Sequence, residues 1–346
     1  TYTANWSANA LTFANQTKEI TYSTSEQNVT FTGASNGTGS YSYAITAGNA
    51  NSYFTISGTT IKVKAGTTAG TYALTVKVTD SGSNVTKDAT ITIVINKAAG
   101  SIKYATTAVS KTYGDAAFTN PLTKVGDGSV TYKSSATGVA TVDASGKVTI
   151  VGAGTVTITA TVADGTNYTY ATKTASYTIT VGRLANIATV PSQSGTLKYT
   201  GASQSPSWSN FDSTKLTLGG VTSGTNAGTY TATFTPKANY AWSDGTTADV
   251  TVSWSIATRK ITVTADSVSK VYDGNALTAS TAKITSGSLV SGQTISYTVS
   301  GSITNVGSVA NVLSAVKVLS GSTDVSANYT ITTVNGTLTI TAKKTT

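Results

Sequence analysis

A short motif opens a strand at four places along the chain: Ala69-Gly70-Thr71-Tyr72, Ala153-Gly154-Thr155-Val156, Ala227-Gly228-Thr229-Tyr230 and the degraded Val306-Gly307-Ser308-Val309, with the glycines 84, 74 and 79 residues apart. Runs that alternate Thr or Ser with apolar residues close each period at Ile95, Val181, Ile256 and Ala342, and a base follows each within a few positions: Lys97, Arg183, Arg259 and Lys343. The closings lie 75 to 86 residues apart, too long a period for a solenoid repeat and a good fit to one small sandwich domain. The length of 346 residues by itself suggests two or three domains, but the period is more specific. It divides the chain into four modules: 1–96, 97–182, 183–257 and 258–346.

Period-two alternation recurs and helical periodicity does not, as in Tyr72, Leu74, Val76 and Val78, or Val250, Val252, Trp254 and Ile256. Thr or Ser on the opposite face means that one side packs while the other meets water, which suits antiparallel sheets rather than a doubly wound core. Turn chemistry agrees. Asp80-Ser81-Gly82-Ser83-Asn84, Asp143-Ala144-Ser145-Gly146 and Asn335-Gly336 each sit between two alternating runs, where a hairpin needs residues tolerant of positive φ.

Several segments carry family resemblances. Phe54-Thr55-Ile56-Ser57-Gly58, Ile61-Lys62-Val63-Lys64-Ala65 and the Gly70-Thr71-Tyr72 strand resemble cadherin-like bacterial immunoglobulin-fold domains. Calcium-stiffened joints are not expected, because only Asp80 and Asp88 stand near the end of that module and Ca²⁺ takes six to eight oxygens. Val139-Ala140-Thr141-Val142-Asp143 through Val148, with Gly152-Ala153-Gly154-Thr155-Val156-Thr157-Ile158, resembles the immunoglobulin-like repeats of intimin-type surface proteins. Tyr199-Thr200-Gly201, Asn239-Tyr240-Ala241-Trp242, Lys270-Val271-Tyr272-Asp273-Gly274 and Asn328-Tyr329-Thr330, with Tyr113-Gly114-Asp115 as a permuted cousin, resemble the mostly-β Tyr-Asp-Gly-type repeats of large bacterial surface proteins and some phage virion proteins. The resemblances imply an all-β fold of tandem immunoglobulin-like β-sandwich modules, four in series, with no catalytic activity attached.

Composition narrows the setting. A chain dominated by Thr, Ser, Gly, Ala and Val, with 18 Tyr and 11% charged residues, fits an extracellular, bacterial cell-surface protein. With no cysteine to form a disulfide, packing alone must stabilise modules this small. No apolar run is long enough to span a membrane as a helix. The lack of any Met suggests a processed piece whose export and anchoring signals lie elsewhere. The net charge of +9 divides as +1, +3, +1 and +4 over the modules, and Arg183 and Arg259 are the only arginines. Specific nucleic-acid recognition favours clustered, bidentate Arg, so none is expected here.

The absence of His and Cys removes the commonest general base, the usual zinc ligands and the thiol nucleophile together. Glu19 and Glu26 are the only glutamates, and most of the 12 Asp stand in turn contexts. No catalytic residue, metal site or cofactor is implied. Lys62, Lys64 and Lys77 fall on polar strand faces, where they blunt sheet edges rather than face an Asn for an isopeptide crosslink. The sequons at Asn5, Asn15, Asn28, Asn36, Asn84, Asn167, Asn328 and Asn335 are what chance supplies in so Asn- and Thr-rich a chain.

Aromatic side chains are the remaining binding chemistry. Trp254 shares the inward face of its strand with Val250, Val252 and Ile256 and is expected in the core. Trp208, Tyr240 and Trp242 lie in turn-rich segments and form the candidate glycan-binding set. A plug closing the mouth of the sandwich is the favoured role for them, because so small a module needs every large side chain it has. The functional expectation is a stalk or spacer of an adhesin-like surface protein, with cell-wall or host glycans and proteins as partners. A phage virion protein, an S-layer or filament subunit contacting neighbouring copies, and a carbohydrate-binding module are the alternatives.

Overall fold

Alternation sets the long strands. In Gly70–Asp80, Leu74, Val76 and Val78 are buried while Thr75, Lys77 and Thr79 are half-buried. In Val250–Ala257, Trp254 and Ile256 are buried and the serines between them are exposed. A computed structural model describes residues 10–344, so the sequon at Asn5 lies outside the described residues. The chain forms two compact units, residues 1–182 and 183–346.

In the first unit a four-stranded sheet, ordered Gln16–Thr21, Thr86–Asn96, Gly70–Asp80 and Tyr41–Ala47, shares a core with the sheet Gln27–Thr30, Thr60–Val63 and Phe54–Ser57. Ile61, Leu74, Val76, Val78, Ile91 and Ile93 are fully buried between them. The rest of the unit repeats the plan. Ala108–Thr112, Thr174–Gly182, Gly154–Val162 and Val130–Ser134 form one sheet, and Phe118–Thr119, Lys147–Ile150 and Ala140–Val142 the other. A separate apolar cluster from Ile102 to Val181 fills the space between these sheets.

The second unit contains the sheet Leu197–Lys198, Val250–Ala257, Gly228–Pro236 and Leu216–Gly220. Ala282–Ser286, Arg259–Ala265 and Tyr329–Val334 form another, and Val268–Val271, Gly336–Thr341, Gly307–Ser320 and Gln293–Ser300 a third. Here one apolar cluster takes in residues from Ile187 to Tyr329, and a smaller one holds Leu277, Leu338 and Ile340. The two modules are joined by more than the chain near residue 257. Tyr199 packs edge-on against Tyr329 at 5.6 Å, so apolar burial joins the two sides as well.

These sheets are tandem β-sandwich modules. Their closing strands pair antiparallel with the strands that the glycine motifs open, and parallel with an early edge strand: Gln16↔Ile91, Ala108↔Thr178, Leu197↔Ile256 and Val268↔Leu338. The repeated glycine has a conformational cause. Gly70, Gly154, Gly228 and Gly307 have φ of 158°, 142°, 152° and 146°, a region that residues with a Cβ rarely enter.

One local expectation changes. Asn335-Gly336 is not a hairpin turn: the strand before it pairs in parallel with Arg259–Ala265, while the strand after it pairs with Gly307–Ser320 in a different sheet. Glycine is needed there for space, since a Cβ on Gly336 would lie 2.2 Å from the Asp266 carbonyl oxygen. The Lys97-Ala98-Ala99-Gly100 connection is itself held in place. Ala98–Ala99 pairs in parallel with Tyr168–Thr169, and a Cβ on Gly100 would meet the Tyr170 ring at 2.5 Å.

Candidate functional site

Four aspartates are capped within their own turns. The Ser145 hydroxyl holds the Asp143 carboxyl below its usual range, Thr214 does so for Asp212 and Thr246 for Asp244. Ser326 brings Asp324 down to about 2. In each case the partner stands two residues on and also donates its backbone N–H, the geometry of an Asx turn. Asp80 is elaborated further. Its buried carboxylate accepts from the Ser83 hydroxyl, the Thr38 amide at 2.9 Å and hydroxyl at 3.0 Å, and the Gly39 amide at 2.8 Å. These bonds, that of Ser83 foremost, hold it far below the carboxylate range. Asp80 thereby ties the 36–40 loop to the hairpin turn. Among the described residues no cluster of three or more acidic side chains could hold a metal ion.

The three candidate aromatic residues have different surroundings. Trp242 is 6% exposed, lies in Tyr240–Trp242 beside Ile187, and donates its indole N–H to the Ala248 carbonyl at 2.9 Å. Tyr240, at the start of the same strand, is half-buried and pairs with Leu184. Trp208 is half-buried, stands edge-on to Phe234 at 4.9 Å, and lines a groove of about 360 Å³ with Asn186, Asn210, Asp212 and Lys215. Of the three, Trp208 alone lines this groove.

The most developed constellation was not anticipated as a site. It sits where one sandwich meets the next, and each unit contains one. In the first unit the Ala69 amide donates to Asn167 Oδ1 at 3.0 Å, and Tyr22 packs edge-on against Tyr168 at 5.4 Å. In the second, the Ala227 amide donates to Asn328 Oδ1 at 2.7 Å, and Tyr199 packs against Tyr329. Asn328 also donates from Nδ2 to Asn226 Oδ1 at 3.3 Å. The Tyr329 hydroxyl donates to Gln293 Oε1, whose amide Nε2 donates to Tyr199 Oη at 3.0 Å.

The receiving face is built the same way each time. The tyrosine follows the parallel edge strand and anchors its own amide on the end of the closing strand, Tyr22 on Asn96 O at 2.8 Å and Tyr199 on Ala257 O at 2.9 Å. The amide that meets the asparagine belongs to the residue just before the high-φ glycine. It stands just before the strand begins, where the ladder offers it no acceptor. The inserting Asn-Tyr pair is held by its own module: the Ala98 amide donates to Asn167 O at 2.9 Å, the Asn167 amide donates to Asp127, and Tyr329 pairs with Arg259. The signal was legible in the sequence as Asn-Tyr at 167–168 and 328–329, but it has meaning only across contacts of 98 to 101 residues.

Comparison with known proteins places two stretches. Residues 121–164 match the family model of the intimin immunoglobulin-like domain, and residues 261–339 match that of the MBG domain of YGX type. The chain therefore carries immunoglobulin-like and MBG-type repeat modules. No curated protein matches it. Among solved structures, Drosophila N-cadherin EC1-3 is similar at 12% identity and TM-score 0.34, covering 70% of this chain and 99% of that one. Domains 4 and 5 of the S-layer protein SbsC are similar at 24% identity and TM-score 0.24, covering 41% and 70%. These structural likenesses carry no functional argument.

Proposed function

We propose that the chain is a non-catalytic, extracellular spacer region of a bacterial surface protein, built from four sandwich modules in series. The observation that carries this reading is the repeated joint. A protein that needs only a tether can leave its linkers bare, whereas here an asparagine, a backbone amide and two tyrosines are committed to the junction in both units. Such joints restrict bending, and restricted bending is what converts a row of small sandwiches into reach. The match of separate stretches to two repeat-module families supports the same reading.

Small-angle scattering tests it. A compact particle of 346 residues would have a radius of gyration of about 20 Å. A stiff rod about 120–160 Å long would give roughly 35–46 Å. A value near the compact figure would end the spacer reading.

A further inference from the structure

The joint has a receiving half that can be recognised without its occupant, and the module at residues 259–341 carries that half in full. Its edge strand Val268–Val271 pairs in parallel with Gly336–Thr341, as Gln16–Thr21 pairs with Thr86–Asn96 and Leu197–Lys198 with Val250–Ala257. A tyrosine follows, Tyr272, and its amide donates to Thr341 O at 2.9 Å, as Tyr22 does to Asn96 O and Tyr199 to Ala257 O. The opener glycine is Gly307, at φ 146°. The residue before it, Val306, stands where Ala69 and Ala227 stand in the two joints already described.

The surroundings differ. Tyr199 is 3% exposed under Tyr329, whereas Tyr272 is 40% exposed, and Val306 and Val271 beside the same end are each 55% exposed. Among the described residues nothing accepts a hydrogen bond from the Val306 amide. An unpartnered amide next to an exposed tyrosine and two exposed valines is thus prepared and uncovered. The backbone donor does not depend on the side chain, so Val in place of Ala preserves it.

We propose that the Tyr272–Val306 end is a socket for one further module of this same class, joined head to tail after the strand that ends at Thr341 and carrying Asn-Tyr in the matching loop. Its asparagine Oδ1 accepts from the Val306 amide, and its tyrosine ring stacks edge-on against Tyr272. The inference is local to this end of the fold and stands apart from whether the chain serves as a spacer.

Two extended chains test it, each with an added module placed directly after Thr341: one adds a second copy of residues 258–344, the other a copy of residues 97–182. These start points match the connections that follow Ala257 and Asn96. Amide hydrogen exchange at Val306 and hydroxyl-radical labelling of Tyr272 are read against the unextended chain. We expect exchange at Val306 to slow by about tenfold or more and labelling of Tyr272 to fall. Both changes should reverse when the added copy carries Asn328→Ala, or Asn167→Ala in the second chain. If an added module shows protected core amides of its own while Val306 and Tyr272 behave as before, the socket does not exist. If neither added module folds on this end, the proposal is overturned as well, because a socket of this kind must hold a module of this kind.

Discussion

Replacing Trp242 by alanine separates a structural ring from a sugar platform. At 6% exposure, in the apolar cluster that includes Ile187, Phe234 and Trp254, an aromatic ring buries about 150–250 Å², worth roughly 4–6 kcal/mol at about 25 cal/mol per Å². Allowing for apolar surface already hidden in the unfolded chain brings this to about 3–5 kcal/mol, the usual cost of truncating a buried Trp. The lost indole bond adds little, since Ala248 is exposed and water can satisfy its carbonyl. In a unit of about 160 residues such a loss lowers the melting temperature by roughly 6–20 °C. Calorimetry should show the transition of the second unit moving down by that amount while that of residues 1–182 stays in place. Trp208→Ala, at a half-buried ring, should move it less. A variant that melts within a degree or two of the parent would refute the burial reasoning. If that variant had also lost affinity for a wall or host polysaccharide, Trp242 would be a binding ring.

Three other outcomes follow from the geometry. Asp80 is depressed in the folded state, so the stability it contributes is present above the unfolded value of about 3.9 and is lost as pH falls below that toward the folded value. The first unit should therefore lose stability in acid below about pH 4, and Asp80→Asn should be less stable at pH 7 with a flatter acid limb; an unchanged acid limb would contradict the assignment. Asn328→Ala should destabilise the second unit by about 1–2 kcal/mol, by removing the acceptor of the Ala227 amide, and a urea midpoint equal to that of the parent would show the joint to be passive. Calcium and chelators should leave both melting transitions where they are, and an upward shift with calcium would point to a site around Asp80 and Asp88.

What could be read from the sequence divides along the range of the interactions. Strand faces were legible because alternation is local: Leu74, Val76 and Val78 must share a side whatever surrounds them. The Asp143 turn was legible for the same reason, since its cap reaches only to Ser145 and Lys147. Asn335-Gly336 misled because the dipeptide is a common hairpin signal, yet Gly336 is there to let the Asp266 carbonyl approach, a contact 70 residues away in the chain. The opener glycines were visible as a repeat but not as a cause. Their φ values disfavour residues with a Cβ, and the amides just before Gly70 and Gly228 find their acceptors in another sandwich. Trp208, Tyr240 and Trp242 lie together in sequence composition but not in environment, because burial depends on what Ile187 and Phe234 bring against them.

The chemistry of the joints sets how they respond to their surroundings. A calcium-bridged joint stiffens only when the metal is present, and a joint made of ion pairs weakens with salt because exposed charges are screened. Here the contacts across the two described joints are a carboxamide oxygen on a backbone amide and edge-on tyrosines, rather than ion pairs. Their stiffness should therefore hold across a range of salt and calcium levels. Asp80, the one fully buried acid among the described residues, is spent inside a sandwich rather than between two, which confines the acid sensitivity it confers to the folding of that sandwich and leaves the Asn-Tyr contact out of it.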